Sequence, residues 1–230
     1  MHRFIINQTL SKGKMIFARC EAVHQIKDVL CLHIGERIIV CDGIGHEAEG
    51  EIIGLDKKSV QINISNVRIN NKESKRFVTL YCAVLKRENF EWVVQKATEV
   101  GIKKIVPIIS NRTVKSSFNL ARIKKIIQEA TEQSGRGVLP EIVAPVTFQK
   151  ALLELSEKQL NLFCHFGGEE FKIIKFRNEP IGIWVGPEGG WTEKEVETAQ
   201  AKNFKIVTLG KTVLRAETAA TIASFLAVNL

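Results

Sequence analysis

The sequence predicts a small β-rich barrel followed by an α/β domain built on a mostly parallel sheet. Three observations carry this. The first 70 residues hold short β-prone runs, turn signals and one helical stretch. From residue 77 onward, apolar β-prone runs alternate with helical periodicity, the rhythm of a parallel sheet covered on both faces. Between them lies Asn70-Asn71-Lys72-Glu73-Ser74-Lys75-Arg76, a polar stretch suited to joining domains. The expected division is therefore 1–70, a linker at 71–76, and 77–230.

In the first part, strands are expected at 3–7, 15–19 and 37–40, and again at 47–53 after the Asp42-Gly43 turn. The run 59–64 alternates cleanly through Val60, Ile62 and Ile64. Val23, Ile26, Val29 and Leu30 give residues 22–32 helical spacing. In the second part, 77–85 reads as a strand and 89–100 as a helix, with Gly101 placed to end it. A strand over 104–109 precedes a helix that Asn119 caps and Gly135 closes. A strand at 141–146, a helix at 149–155 and a strand at 160–166 follow. The last helix, 217–230, is apolar nearly all round, so it must be covered on several sides, one of which a partner subunit could supply.

The chemistry concentrates at two strand-to-helix corners. One is Gly186-Pro187-Glu188-Gly189-Gly190-Trp191-Thr192-Glu193, after the apolar strand 181–185. The other is Leu209-Gly210-Lys211-Thr212-Val213-Leu214-Arg215-Ala216-Glu217-Thr218, after the strand 204–209. Glycine corners at the carboxyl edge of an α/β sheet let backbone approach a ligand. Such corners often hold phosphate, but Glu188, Glu193 and Glu195 oppose a diphosphate and suit a cationic or zwitterionic ligand. Neither a P-loop nor a dinucleotide fingerprint is present. Thr192 and Glu195 also have the spacing of a capping box.

Composition bounds the partners. The 230 residues are 45% hydrophobic, with no run long enough to span a membrane and no signal-peptide pattern at the start. Five cysteines without paired spacing argue against a disulfide framework, point to a reducing cytoplasm and suggest no metal site. The formal charge is +8. Residues 101–137 carry eight Lys/Arg against two Glu, a basic region suited to a polyanion.

Both corners resemble the cofactor site of the SPOUT superfamily of S-adenosylmethionine-dependent RNA methyltransferases. The chain is most similar to the enzymes that methylate ring nitrogen 3 of a uridine in small-subunit ribosomal RNA. His2-Arg3-Phe4, Glu91-Trp92-Val93-Val94-Gln95-Lys96-Ala97-Thr98-Glu99-Val100-Gly101 and Glu129-Ala130-Thr131-Glu132-Gln133-Ser134-Gly135-Arg136 carry the likeness over essentially the whole chain. The resemblance implies a PUA-like RNA-binding barrel, a trefoil knot at the cofactor site, a homodimer, and small-subunit ribosomal RNA or the assembled subunit as substrate. It implies cofactor contacts, largely from backbone, at Phe163, His165, Gly186, Pro187, Glu188, Gly189, Gly190, Leu209, Gly210, Val213 and Leu214. RNA contacts are expected at Arg3, Arg112, Lys115 and Arg136. One departure is Cys31, where related sequences tend to carry arginine.

Uridine nitrogen 3 becomes nucleophilic once its imide proton leaves, and a nearby cation lowers the cost of that loss. Arg215 is the candidate. It precedes a helix N-terminus, where the dipole disfavours a cation unless something anionic lies opposite. An ion pair with Glu217 or Glu188 is the alternative use of the same charge, and the two can coexist. No histidine or carboxylate stands out as a general base. Other readings are methylation of transfer RNA or another nucleoside, and a non-catalytic RNA-binding assembly factor.

Overall fold

A computed structural model of the chain describes residues 1–6, 8–18, 21–114, 118–171 and 179–230. Lys115 lies outside the described residues. Two compact units result: Met1–Glu73 with Thr131–Leu139, and Ser74–Ala130 with Pro140–Leu230.

The first unit carries β1 (Arg3–Ile5), β2 (Gly13–Ala18), β3 (Arg37–Cys41), β4 (His46–Leu55) and β5 (Ser59–Ile69), in the sheet order β1-β3-β4-β5-β2. Register shifts in β4 at Glu49/Gly50 and Ile52/Gly54 are bulges, which bend a strand. Phe4, Phe17, Ile38, Val40, Ile52 and the alternating Val60, Ile62 and Ile64 form one core. The helix expected over 22–32 divides into α1 (Glu21–His24) and a π-turn, Gln25–Val29. In that turn the Leu30 N–H donates to the Gln25 carbonyl at 2.8 Å. The wider turn leaves Ile26 buried while Val29 and Leu30 face solvent.

The second unit begins with β6 (Val78–Ala83), α2 (Arg87–Val100) and β7 (Lys104–Ile109). Next come α3 (Leu120–Ser134), β8 (Glu141–Ile142), β9 (Val146–Thr147), α4 (Phe148–Leu153) and β10 (Leu160–Glu170). It ends with β11 (Ile181–Val185), α5 (Glu193–Ala201), β12 (Lys205–Thr208) and α6 (Ala216–Asn229). The last turn of α3 is grouped with the first unit, an excursion that linear order does not reveal. The sheet order is β12-β10-β11-β6-β7-β8, with β9 also on β7, and all of these pairs are parallel. β6 and β11 are buried along their whole length, as strands covered on both faces must be. The single strand expected at 141–146 is two short pieces interrupted at Pro145, which lacks an N–H for the ladder.

Local stop signals act as expected. Gly101 ends α2 in the left-handed region at φ 106°, and the Asn119 side chain accepts from the Arg122 N–H at 3.1 Å. α6 buries Ala216, Ala220, Ala223, Ser224 and Ala227, small residues that allow close packing on α2, while Phe225 stays exposed.

An aromatic cluster beneath the carboxyl edge fixes the ground on which the site stands. Tyr81 stacks on Trp184 at 4.1 Å, and Phe163 stacks on Trp191 at 4.6 Å. Phe148 meets Phe163 and Trp184 edge-on.

Candidate active site

The first corner is braced from four directions. At its tip Gly190 adopts φ +69°, and its N–H donates to the Pro187 carbonyl at 2.8 Å. The chain then folds back so that Trp191 lies over Gly186, where a Cβ would come within 3.0 Å of the indole Nε1. Thr192 and Glu195 form the capping box reciprocally, the Thr192 N–H donating to Glu195 Oε2 at 2.8 Å. Glu195 Oε1 also accepts from the Asn111 N–H at 3.1 Å. Glu188 Oε1 accepts from the N–H of Lys86, the N-cap of α2, at 3.1 Å. Arg112 Nη1 donates to the Gly189 carbonyl at 2.8 Å and to the Trp191 carbonyl at 3.4 Å.

The second corner is held far more lightly. Gly210 sits at φ +148°, and the Thr208 hydroxyl donates to its carbonyl at 3.0 Å. Arg215 is the N-cap of α6 in extended backbone, and its side chain makes no capping bond. Its guanidinium is 87% exposed and lies 4.0 Å from Glu217 Oε1. The ion pair weighed for Arg215 is therefore present, with Glu217 as the partner.

A third wall comes from β10, which leaves its ladder on β12 after Cys164 and rejoins at Glu169. His165 and Phe166 on this excursion line the site, whereas Phe163, expected at the cofactor, is a core residue beneath Trp191. The three loops enclose a cavity of about 860 Å³, within the ~300–1,000 Å³ typical of pockets for small ligands and cofactors. His165, Gly186, Pro187, Glu188, Gly189, Gly190, Leu209, Val213, Leu214 and Arg215 all line it. Gly210 is not among the lining residues, although a Cβ there would meet nothing within 4 Å.

Lys86, Asn89, Arg112, Cys164, Trp191 and Thr212 also line the wall, positions the sequence reading does not assign to the cofactor. Arg112 was expected on the RNA side; it belongs to a segment 77 residues from Gly189, and no local pattern announces the pairing. Glu195 is turned into the capping box and away from the cavity, and Glu193 is exposed on the first helical turn. The carboxylates that line the cavity are Glu188 and Glu217. Desolvation pushes the Cys164 thiol up to about 12, so it stays protonated and is no nucleophile at neutral pH.

Arg3 and Arg136, expected to grip RNA, are built into ion pairs instead. Arg3 Nη1 donates to Glu47 Oε2 at 2.6 Å, and Arg68, itself largely exposed, shares that carboxylate. Desolvation opposes the charge on Glu47, yet bonds from Arg3, Arg68 and Asn70 hold its carboxyl below the usual range. Arg136 bonds Glu73 through Nε and Nη2, both at 3.0 Å, and its side chain is only 5% exposed. Both guanidinium groups are thus largely buried against carboxylates.

These residues fit S-adenosylmethionine on three observations. The buried Trp191 indole N–H beside Gly186 has no partner among the described residues. Gly190 leaves open space where a Cβ would stand. Glu188 and Glu217 provide negative charge for a sulfonium.

Residues 72–227 match the family model for the RNA methyltransferase domain, and residues 21–65 that for the RNA methyltransferase PUA domain. The chain is 33% identical over 231 residues to ribosomal RNA small subunit methyltransferase E of Rickettsia conorii, covering 96% of this chain and 93% of that one. It is 36% identical over 209 residues to the protein of the same name from Synechocystis, covering 87% and 68%. The crystal structure of ribosomal RNA small subunit methyltransferase E from Neisseria gonorrhoeae bound to S-adenosyl methionine superposes with a TM-score of 0.91 at 30% identity, over 97% of this chain and 95% of that one.

Proposed function

The chain belongs to the ribosomal RNA small subunit methyltransferase E family of SPOUT-type RNA methyltransferases, and we propose that it methylates ring nitrogen 3 of a uridine in small-subunit ribosomal RNA with S-adenosylmethionine as donor. The observation that carries this reading is the convergence of three loops from adjacent parallel strands on one cavity, with Glu188 and Glu217 on its wall and Arg215 at its mouth.

Bound there, S-adenosylmethionine would supply an electrophilic methyl group that needs no acid to activate its leaving group. Backbone of the two corners would hold it, with Gly186 bare so that Trp191 can pack against it and open space at Gly190 for a ligand to approach the main chain. Glu188 and Glu217 would balance the sulfonium charge. Arg215 projects freely enough to reach an incoming base, and its charge would favour loss of the imide proton from nitrogen 3. Glu217, 4.0 Å away, would orient it. The proton would leave to water. Because nitrogen 3 is engaged in base pairing within a duplex, the target uridine would be single-stranded or extruded.

The PUA unit would bind RNA, and exposed cations of the basic segment such as Lys124 and Lys125 would add charge. The proposed assembly is a homodimer, for which the exposed Phe225 on α6 and Trp92 on the adjoining α2 offer apolar surface. No helix among the described residues is long and apolar enough to cross a membrane, and the proposed location is the cytoplasm.

Calorimetry with S-adenosylmethionine, followed by radiolabelled methyl transfer to isolated small subunits and to free RNA with the product mapped, tests the reading. A labelled 3-methyluridine is expected. Binding without transfer would favour an assembly factor, and label on transfer RNA or another nucleoside would replace the substrate.

A further inference from the structure

The excursion in β10 has a backbone that only glycine can satisfy and a purpose that cofactor binding leaves unexplained. Cys164 and Glu169 both align with Val207, so four residues stand outside the ladder. Gly167 takes φ +77°, and a Cβ at Gly168 would lie 2.4 Å from the Ile206 carbonyl oxygen. No side chain fits at Gly168, and few are comfortable at Gly167. What these two glycines make possible is the placement of Phe166, an aromatic ring 55% exposed on the wall of the cavity.

Phe166 is not alone. Val114 and Val213 also line the cavity and are exposed, and Lys86, Arg112 and Arg215 line it with them. Large apolar side chains held in water beside cations form the composition that binds single-stranded nucleic acid. The ring offers a face to a base, and the cations meet the flanking phosphates. Of the other aromatic rings in the cavity wall, Trp191 is buried and already stacked on Phe163, and the His165 imidazole is only half-buried, which leaves Phe166 as the most exposed aromatic face among the described lining residues.

We propose that Phe166 is the stacking platform for the target base, holding the extruded pyrimidine flat at the mouth of the cavity with its ring nitrogen turned toward the methyl donor. The inference rests on the methyltransferase reading above and assigns the residue that positions its substrate. Stacking is tolerant of base identity, so Phe166 would supply affinity and orientation, while selection of uridine would fall to polar groups around it.

The test compares the full chain with Phe166→Ala, Phe166→Leu and Phe166→Trp. For methyl transfer to small-subunit RNA, Phe166→Ala should raise KM about 5- to 150-fold, the range for losing one base–aromatic stack. Phe166→Leu, apolar but without a π face, should behave like the alanine variant. Phe166→Trp should stay close to the parent, and the S-adenosylmethionine Kd should be unchanged in all three. Binding of a single-stranded oligouridine in the presence of S-adenosylhomocysteine reads the same contact without turnover. If the parent chain transfers no methyl group yet Phe166→Ala weakens oligouridine binding, the proposed reaction falls and the platform stands. An unchanged RNA KM and oligouridine Kd in Phe166→Ala would overturn the platform. So would a loss confined to cofactor affinity, which would give the ring to the adenine. A loss confined to self-association in sedimentation would give it to a second copy of the chain.

Discussion

The two glycine corners sit on strands of the same parallel sheet, separated by β10, and line the same cavity, yet they are built in opposite ways. The 186–191 corner is pinned by a tryptophan stacked on the core, a capping box, a carboxylate on the α2 N-cap and an arginine on two of its carbonyls. Outside the helix that follows, the described bonds of the 209–215 corner are one hydroxyl–carbonyl bond and an ion pair at 4.0 Å between exposed Arg215 and largely buried Glu217. A ligand meeting the first finds a surface already formed. At the second it meets a loop with few bonds of its own. That division suits a site that binds a cofactor through preorganised backbone and then brings a charge to a large, mobile substrate.

The contrast makes its largest forecast at Trp191. Trp191→Ala removes a buried ring from the core and should destabilise by about 3–5 kcal/mol, read as a lower urea midpoint, with loss of cofactor binding. An unchanged midpoint would mean the stack on Phe163 does not hold the corner. Arg215→Ala should do the reverse. Turnover should fall about 100- to 1,000-fold, as when one electrostatic stabiliser of a transition state is lost. Cofactor Kd and urea midpoint should stay near those of the parent, and near-normal turnover would reject the catalytic role. Hydrogen exchange should separate the corners directly: the bonded amides of Gly190 and Thr192 slow in the free protein, those at 211–214 fast. At a cofactor concentration 100 times Kd the second set should slow by up to about 100-fold; equal protection in both corners before ligand is added would erase the contrast. Arg112→Ala should weaken cofactor binding about 10-fold through loss of charge-assisted bonds to two carbonyls. Arg112→Lys should restore only part, since one ammonium cannot reproduce the planar fork.

Much of the site is legible along the chain. Glycines at a strand end, Thr192 with Glu195 three residues on, and Gly101 after a helical run each act through backbone geometry within a few residues. The structure bears out the helix stops and the capping box, and it places His165 and most of the residues of both corners on one cavity. What could not be read were the surroundings that distant partners create. Nothing near Arg136 signals that Glu73 will enclose it, nor does anything near Arg3 reveal Glu47. Phe163 reads like its neighbours on an apolar strand, and only the stack beneath Trp191 assigns it to the core. The excursion at 165–168 is visible as Gly167-Gly168, but its meaning depends on the closeness of Ile206 on β12.

Alternation, helical spacing, caps and glycine positions were enough to lay out the succession of strands and helices and to mark both corners, because each is a constraint between near neighbours on the chain. The order β12-β10-β11-β6-β7 is not such a constraint. It brings 165–166, 186–191 and 209–215 around one cavity, turns Arg112 onto Gly189 and leaves Arg215 exposed beside Glu217. Those outcomes come from pairing and burial between segments tens of residues apart, where the energy of a charge depends on which partner the fold places beside it and how much water it removes.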